Sequence, residues 1–285
     1  MSKIIRLLFF LSYVIAVGYL SLLDMHPFVI FIFFLITPLW CHFFHRKRLK
    51  KLSSEIGVLQ DINQLRGMFV SIVSHELRNP MTTIYSSIDL LENYLDRIDI
   101  EEKHHLFGNI RKSIQRMSKM MDDIVLIGRL QHGQVACHPE KTNILLLCSA
   151  ICEALGSEKK RIRMTVDFQL PLFVGIDQSL VNIILSNLIN NALKYSEELI
   201  NFFIKFRNAT LIFNIQDQGI GIPGDEIQKL SQLFGRCSNT GNRKGIGIGM
   251  FLVAHCVKLH KGTIKVRSQK DKGTHFKVAI PLSQV

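Results

Sequence analysis

The chain has 285 residues, with 35 Lys and Arg against 23 Asp and Glu and a formal net charge of +12 at pH 7. This length exceeds one small domain and leaves room for only a few. The charge favours an anionic partner, whether nucleic acid, anionic lipid or nucleotide, without choosing among them. The six cysteines include no CxxC pair. Their spacing argues against a disulfide framework or a metal site and indicates reduced, cytosolic core residues.

Two long apolar runs begin the chain. Residues 4–23 are almost continuously apolar over the length of a bilayer span, and residues 28–44 form a second run. A cleaved signal peptide is the alternative, but the first run is too long and lacks a small-residue cleavage site. Basic residues flank the pair of runs on both sides, so the positive-inside rule places both termini in the cytoplasm. The sequence predicts a transmembrane hairpin over residues 1–45, with only residues 24–27 outside.

The next segments have helical periodicity. Apolar residues within 46–66 follow the alternating spacings of three and four that are typical of a coiled-coil seam. A continuing stripe consists of Phe69, Val73, Leu77, Pro80, Ile84, Ile88, Leu91 and Leu95. After a charged break, a second helix carries Leu106, Ile110, Ile114, Met117, Met121 and Ile124. Two helices alone bury such stripes poorly, whereas two hairpins form a four-helix bundle. The sequence therefore predicts a coiled-coil linker at 46–66 and a homodimeric helical domain at 67–135.

Beyond residue 135 the pattern becomes mixed. Near-alternating runs that begin at residues 163, 201, 210, 262 and 274 predict strands, while residues 180–195 and 249–259 predict helices. Strands intermixed with helices favour one sheet covered by helices on one face. The predicted fold is therefore multidomain: an α-helical transmembrane hairpin, a dimeric four-helix bundle with two helices per chain, and an α/β sandwich over residues 136–285.

One short motif on the first helix, SHELRNP at residues 74–80, combines side chains with chemical roles. Asn79 lies four residues after His75 and therefore shares its helical face. Pro80 removes the hydrogen bond to the Glu76 carbonyl and is expected to bend the helix. Taken singly, each residue has an ordinary explanation, a solvated histidine or a tolerated kink. Their combination inside a continuing apolar stripe favours a functional site.

This motif resembles the phosphoacceptor box of two-component sensor histidine kinases, and five later segments resemble other motifs of that family in the same order. They are NLINNALKYS (187–196), DQGIGIP (217–223), LSQLFGR (230–236), GIGIGM (245–250) and DKGTHF (271–276). The resemblance extends from residue 68 to the end. It implies a HisKA-type dimerisation and phosphotransfer domain followed by a GHKL-type ATP-binding domain.

The resemblance assigns roles within the first motif. His75 is expected to be the nucleophile, since a neutral imidazole presents a lone pair near physiological pH. Glu76 is expected to accept the other ring N–H and to stabilise the imidazolium that forms. Asn79 would hold a water in the phosphatase reaction of the family. No receiver domain follows in this sequence, so the acceptor aspartate is expected on a separate response regulator.

The resemblance also implies an ATP and Mg²⁺ site. Asn191 would bind Mg²⁺ through its amide oxygen, a hard ligand for a hard cation, supported by Asn187 one turn earlier. Asp217 would meet the adenine amino group, and the glycines that open the last helix suit phosphate oxygens. The full expected set for ATP is Asn187, Asn191, Lys194, Tyr195, Asp217, Gly219, Gly221, Phe234, Arg236, Gly245, Gly247, Gly249 and Thr274.

Two hypotheses about function remain open. The intact motifs favour an active protein-histidine kinase in a bacterial inner membrane, with a membrane partner as one source of its signal. Ser231 stands where the family usually has an aromatic residue, and it favours a degenerate or phosphatase-biased scaffold that modulates another kinase. A nucleic-acid partner is not expected, because no basic motif with interleaved aromatics is present.

Overall fold

The structure is a computed structural model. It describes residues 14–15, 18–19, 46–48, 67, 70–94, 97–167, 169–235, 237–240 and 246–282. By its internal contacts the chain divides into two compact units, Met1–Met68 and Phe69–Val285. The predicted transmembrane hairpin and coiled-coil linker lie almost wholly outside the described residues. Within the described ranges, no helix combines the length and the apolar character that a membrane crossing requires.

The second unit begins with two long helices. Residues 70–94 form α1, which stays helical through Pro80, and Ile100–Gln131 form α2. Asp99 caps α2, because its carboxylate accepts a hydrogen bond from the Glu102 amide at 2.7 Å. The predicted helical hairpin is therefore confirmed.

Two different stripes run along α2. Its buried residues are Leu106, Ser113, Met120 and Ile127. A seven-residue spacing keeps these four on one helical face. Ile114 and Met121, from the stripe that the sequence predicted, are 54% and 60% exposed. A single chain thus leaves an apolar stripe of α2 uncovered, as the predicted homodimer requires.

The described part of the remaining unit contains seven strands and three further α-helices, besides short 3-10 helices. The strands are β1 (Glu140–Asn143), β2 (Ile162–Val166), β3 (Phe173–Ile176), β4 (Ile200–Arg207), β5 (Thr210–Gln216), β6 (Thr263–Ser268) and β7 (Thr274–Pro281). The helices are α3 (Ile144–Glu153), α4 (Gln178–Tyr195) and α5 (Gly249–Leu259). Five strands form one sheet in the order β2-β4-β5-β7-β6, and β1 pairs separately with β3. Only the β2–β4 pair of the larger sheet is parallel.

Helices α3, α4 and α5 share one core with a single face of the larger sheet. Alternate residues of the strands point into this core, and the rings of Phe202 and Phe213 stack there with centroids 6.3 Å apart. The predicted α/β sandwich is confirmed. Strands β1 and β3 and helix α3 were not predicted, since a four-residue strand carries too little periodicity to stand out.

Candidate functional site

A cleft of about 300 Å³ is lined by α2, the end of α4 and the beginning of α5. It brings together most of the residues expected to bind ATP, namely Asn187, Asn191, Lys194, Tyr195, Asp217, Gly221, Gly247, Gly249 and Thr274. Gly219 and Phe234 do not line it. Gly219 packs against the Tyr195 carbonyl, and Phe234 packs in a neighbouring apolar cluster. Arg236 and Gly245 lie outside the described residues.

Helix α4 presents Asn187 and Asn191 to the cleft, because its other face is apolar and buried. The Asn187 amide nitrogen donates to the Ile183 carbonyl at 2.8 Å. Its oxygen faces the backbone of Gly249, where an added Cβ would lie only 2.6 Å away. Asn191, one turn later, makes no hydrogen bond to any described residue. Its amide is therefore available to a ligand.

Asp217 directly follows β5 and is only 4% exposed. Its Oδ1 atom accepts hydrogen bonds from the Gly219 amide at 2.9 Å and from the Thr274 amide at 3.1 Å. Burial raises the pKa of the Asp217 carboxyl above its ordinary value, and the two N–H donors partly oppose this effect. With Oδ1 held by the backbone, Oδ2 is the oxygen left to accept an N–H from a ligand in the cleft.

Gly247 forms the turn that leads into α5. Its φ of +77° lies in the left-handed region, and an added Cβ would lie 2.9 Å from the Phe234 carbonyl carbon. Only glycine fits this position without strain. Because no side chain projects from the turn, the backbone N–H groups at the start of α5 border open space in the cleft.

Asn239 lines the cleft and was not predicted as a site residue. Its side-chain nitrogen donates to the carbonyls of Gly221 at 2.9 Å and of Ile220 at 3.3 Å. Its buried oxygen has no hydrogen-bond partner among the described residues. Its position in the cleft could not be recognised from the sequence, because an asparagine among Ser, Thr and Gly residues is ordinary loop composition.

The three residues expected to act in phosphoryl chemistry have different surroundings. His75 is exposed on α1 and does not line the cleft. Glu76 is buried, borders the cleft and accepts a hydrogen bond from Arg116 at 3.1 Å. The expected hydrogen bond between the His75 ring and Glu76 is absent within the described residues. Asn79 lines a separate cavity of about 170 Å³, which Arg116 also borders.

Helix α2 contributes a charged row to the cleft that the sequence reasoning missed. Arg116, Lys119 and Asp123 are spaced by three and four residues and line the same wall. Lys119 and Asp123 form an ion pair at 3.9 Å. Burial raises the pKa of the Asp123 carboxyl, while Lys119 lowers it. This row was missed because only the apolar periodicity of α2 was considered.

Next to this charged row, an apolar contact joins α2 to the turn at Gly247. Met120 and Ile127 of α2 are buried in one cluster with Ile246, Ile248 and Leu252. The wall formed by α2 is thus packed against the segment that precedes α5. The cleft accordingly contains side chains from both the helical hairpin and the α/β part of the unit.

The donor set of the cleft fits a magnesium ion that is bound mainly by a ligand. Among the described residues, no group of three or more His, Cys, Asp or Glu side chains could hold a metal. Mg²⁺ commonly takes one or two protein oxygens together with substrate phosphates and water. The free amide oxygen of Asn191 is suited to such a site.

Comparison with known proteins agrees with this geometry. Residues 65–133 match the His Kinase A (phospho-acceptor) domain family. Residues 176–284 match the family of histidine kinase-, DNA gyrase B- and HSP90-like ATPases. The chain is 29% identical over 252 residues to the sensor histidine kinase WalK of Bacillus subtilis, covering 82% of this chain and 40% of WalK.

Two further proteins are similar. The autoinducer 2 sensor kinase/phosphatase LuxQ of Vibrio parahaemolyticus is 30% identical over 236 residues, covering 77% of this chain and 27% of LuxQ. The crystal structure of full-length ShkA in complex with AMPPNP shares the fold with a TM-score of 0.55 at 20% identity, covering 75% of this chain and 46% of ShkA.

By its two domains, in this order, the chain belongs to the histidine kinases of two-component systems. It spans less than half the length of WalK and LuxQ.

Proposed function

We propose that this protein is a membrane-bound sensor histidine kinase. In this proposal it phosphorylates itself on His75 from ATP and passes the phosphoryl group to an aspartate on the receiver domain of a separate response regulator. The observation that carries the proposal is the shared cleft, which contains the Asn191, Asp217 and Gly247 cradle as well as Glu76, the neighbour of His75.

The described residues account for nucleotide binding. Oδ2 of Asp217 would accept a hydrogen bond from the exocyclic amine of adenine, which discriminates against a guanine carbonyl. The N–H groups at the start of α5 and the Lys194 ammonium would bind phosphate oxygens. Asn191 would hold Mg²⁺, whose charge neutralises the phosphates during transfer. The AMPPNP bound to ShkA supports a nucleotide of this kind.

Transfer consists of an attack by the His75 lone pair on the γ-phosphorus. A P–N bond forms, the bond to the β-phosphate oxygen breaks, and ADP leaves. The imidazolium is stabilised by the Glu76 carboxylate. In the described arrangement His75 does not line the cleft, and Glu76 is held by Arg116. Phosphorylation therefore requires a rearrangement that brings the γ-phosphate to His75 and releases Glu76.

A phosphatase activity is the second part of the proposal. Asn79 borders a cavity that is separate from the nucleotide cleft, together with Thr83, Asn109 and Lys112. An amide in such a position can orient a water for attack on a phosphoryl group carried by a partner protein. The kinase/phosphatase LuxQ supports this dual activity.

Membrane location and dimerisation complete the proposal. The two apolar runs within residues 1–45 would form a transmembrane hairpin of a bacterial inner membrane protein with both termini in the cytoplasm. The uncovered stripe of α2 would pack against a second copy in a four-helix bundle. The short external segment favours a signal that arises within the bilayer or from a membrane partner.

Radiolabelling of the full-length chain tests the proposal. With γ-labelled ATP and Mg²⁺, the wild type should acquire acid-labile, alkali-stable label that is absent from His75→Gln. His105→Gln is the matched control, because His105 is also exposed but lies on α2. A wild type that binds ATP without becoming labelled would contradict the kinase function and favour the scaffold, which Ser231 suggests.

A further inference from the structure

The five-stranded sheet has an unusual distribution of charge. Its strands carry six Lys or Arg side chains and contain no Asp or Glu. The six are Arg163, Lys205, Arg207, Lys265, Arg267 and Lys277, and all are exposed. Basic surface residues are normally interspersed with acidic ones. The absence of carboxylates from all five strands therefore calls for a physical explanation.

The register of the sheet places all six on one face. Arg163 pairs across the sheet, through three intervening strands, with Arg267, and Lys265 pairs directly with Lys277. Lys205 and Arg207 follow on the same side of β4, because alternate residues of a strand share a face. The opposite face packs against α3, α4 and α5. We call the side bearing the six residues the basic face.

The basic face carries uncompensated charge. Within the described residues, none of its six basic side chains forms an ion pair. His275 lies on this face, beside Arg267 of the neighbouring strand β6 and two residues before Lys277. Burial lowers the pKa of its imidazole, and the nearby Arg267 and Lys277 lower it further. From the ordinary spacing of strands and residues, the face measures about 20 Å by 25 Å.

We propose that the basic face binds the anionic lipid headgroups of the membrane surface. The inference rests on the proposed membrane location, which would tether the sheet close to the cytoplasmic leaflet. Basic residues beside an anionic leaflet each strengthen binding, and their effects accumulate over a cluster of this size. The face would hold the ATP-binding part of the chain against the bilayer and leave the cleft, on the helical side of the sheet, open.

Two features favour a lipid surface over nucleic acid. The charges are spread over the whole width of the sheet, as a plane of headgroups requires, and do not follow a groove. Among the described strands, Phe203 is the one Phe, Tyr or Trp side chain on the basic face, whereas single-stranded nucleic acid is bound by successive aromatic platforms. Among the residues that the structure describes, no helix or ribbon on this face projects to enter a DNA groove.

Lysine reactivity of the full-length chain in lipid nanodiscs tests the inference. The chain is incubated with an amine-acylating reagent in discs of phosphatidylcholine and in discs that also contain phosphatidylglycerol. Acylation of Lys205, Lys265 and Lys277 is followed by mass spectrometry. We expect these lysines to react about fivefold more slowly in the anionic discs. Lys258 is the internal control, since it is exposed on α5 at the other side of the sheet.

Salt and charge reversal sharpen the test. The protection should disappear in about 1 M salt, where the screening length falls to about 3 Å. It should also disappear in the triple variant Arg163→Glu, Arg207→Glu, Arg267→Glu. The matched control reverses Arg97, Arg111 and Arg129, which are exposed near or on α2, and should keep the protection. Both variants should retain label on His75, because none of these arginines lines the nucleotide cleft.

The outcomes separate the inference from the proposed function. Equal lysine reactivity in neutral and anionic discs overturns the inference, even if the chain enters both discs and labels His75. Protection by an added oligonucleotide, with none by anionic lipid, also overturns it and identifies nucleic acid as the partner. In a further outcome, anionic discs protect the lysines but neutral discs do not retain the chain. This outcome supports lipid binding by the basic face and contradicts the transmembrane hairpin.

Discussion

Arg116 joins α2 to α1 beside His75, since its Nη2 atom lies 3.1 Å from Oε2 of Glu76. The Glu76 side chain is 9% exposed, whereas that of Arg116 is 40% exposed. A carboxylate at this depth needs a partner, because an unpaired buried charge is costly. The ion pair therefore fixes the Glu76 carboxylate toward α2, and within the described residues no hydrogen bond joins that carboxylate to the His75 ring.

Replacing Arg116 by Met should leave the Glu76 carboxylate buried without its donor. We expect the free energy of unfolding to fall by about 1–3 kcal/mol, measured by urea denaturation. Arg111→Met is the control, because Arg111 is exposed on the same helix and forms no ion pair among the described residues. Equal stability of the two variants would mean that Glu76 finds another partner or protonates.

Asn79 should affect dephosphorylation and leave autophosphorylation largely intact. Its cavity is separate from the nucleotide cleft, so Asn79→Ala removes no contact with ATP. We expect His75 labelling to stay within about twofold of the wild type, while dephosphorylation of the regulator slows about 10-fold or more. Asn93→Ala, another asparagine on α1, is the control. Parallel loss of both activities would show that Asn79 acts structurally.

Asp217 should make nucleotide binding sensitive to mild acid. Because burial raises the pKa of its carboxyl above the ordinary 3.8, the group protonates at a higher pH than an exposed aspartate and loses its negative charge. ATP affinity should therefore fall more steeply with decreasing pH in the wild type than in Asp217→Asn. Calorimetric titration of both proteins across this range measures the ratio of affinities, which cancels protonation of ATP itself. A constant ratio would contradict the assignment.

The raised pKa of Asp217 has the opposite effect on the stability of the unliganded fold: acid lowers ATP affinity but favours the folded state. The folded protein takes up this proton more readily than the unfolded chain does, so protonation of Asp217 stabilises the fold. That contribution is present below the unfolded pKa and is lost as the pH rises through the folded pKa. Relative to Asp217→Asn, the unliganded wild type should thus become less stable on going from acid to neutral pH, as denaturation curves would show.

Two glycine-to-alanine substitutions should change the stability of the fold in opposite directions. Gly247→Ala places a Cβ at positive φ and 2.9 Å from backbone, so it should weaken ATP binding and lower stability. Gly108→Ala, within α2, meets no atom within 4 Å and should raise stability by about 0.5–1 kcal/mol. Thermal unfolding with and without ATP measures both effects. Stabilisation by Gly247→Ala would rule out the strained turn.

The sequence predicted the elements with strong periodicity and the residues within specific motifs. Helix α5 begins at Gly249 and ends at Leu259, as predicted, because the glycine motif marks its start. Asn191 and Asp217 line one cleft, although 26 positions separate them along the chain. Each of the two residues belongs to a motif with a characteristic backbone geometry, so the residue types in the motif were enough to predict that both belong to the site.

Other parts of the site could not be predicted because they depend on tertiary packing. Arg116 and Lys119 look like ordinary solvated charges in the sequence, and only the approach of α2 to α5 places them in the cleft. Asn239 is held at the wall of the cleft by hydrogen bonds to two backbone carbonyls that lie 18 and 19 positions away in the sequence. The predicted hydrogen bond between His75 and Glu76 is absent from the described residues for a similar reason, since the Glu76 carboxylate accepts a hydrogen bond from Arg116.

The packing of Met120 and Ile127 against Ile248 and Leu252 makes the helical hairpin and the nucleotide thermodynamically linked. A ligand that moves the turn at Gly247 must also change the free energy of this apolar contact. By reciprocity, any twist of α2 that loosens the contact changes nucleotide affinity by the same factor. A change in the helices would thus alter the affinity of the cleft for a nucleotide, although it acts outside the cleft.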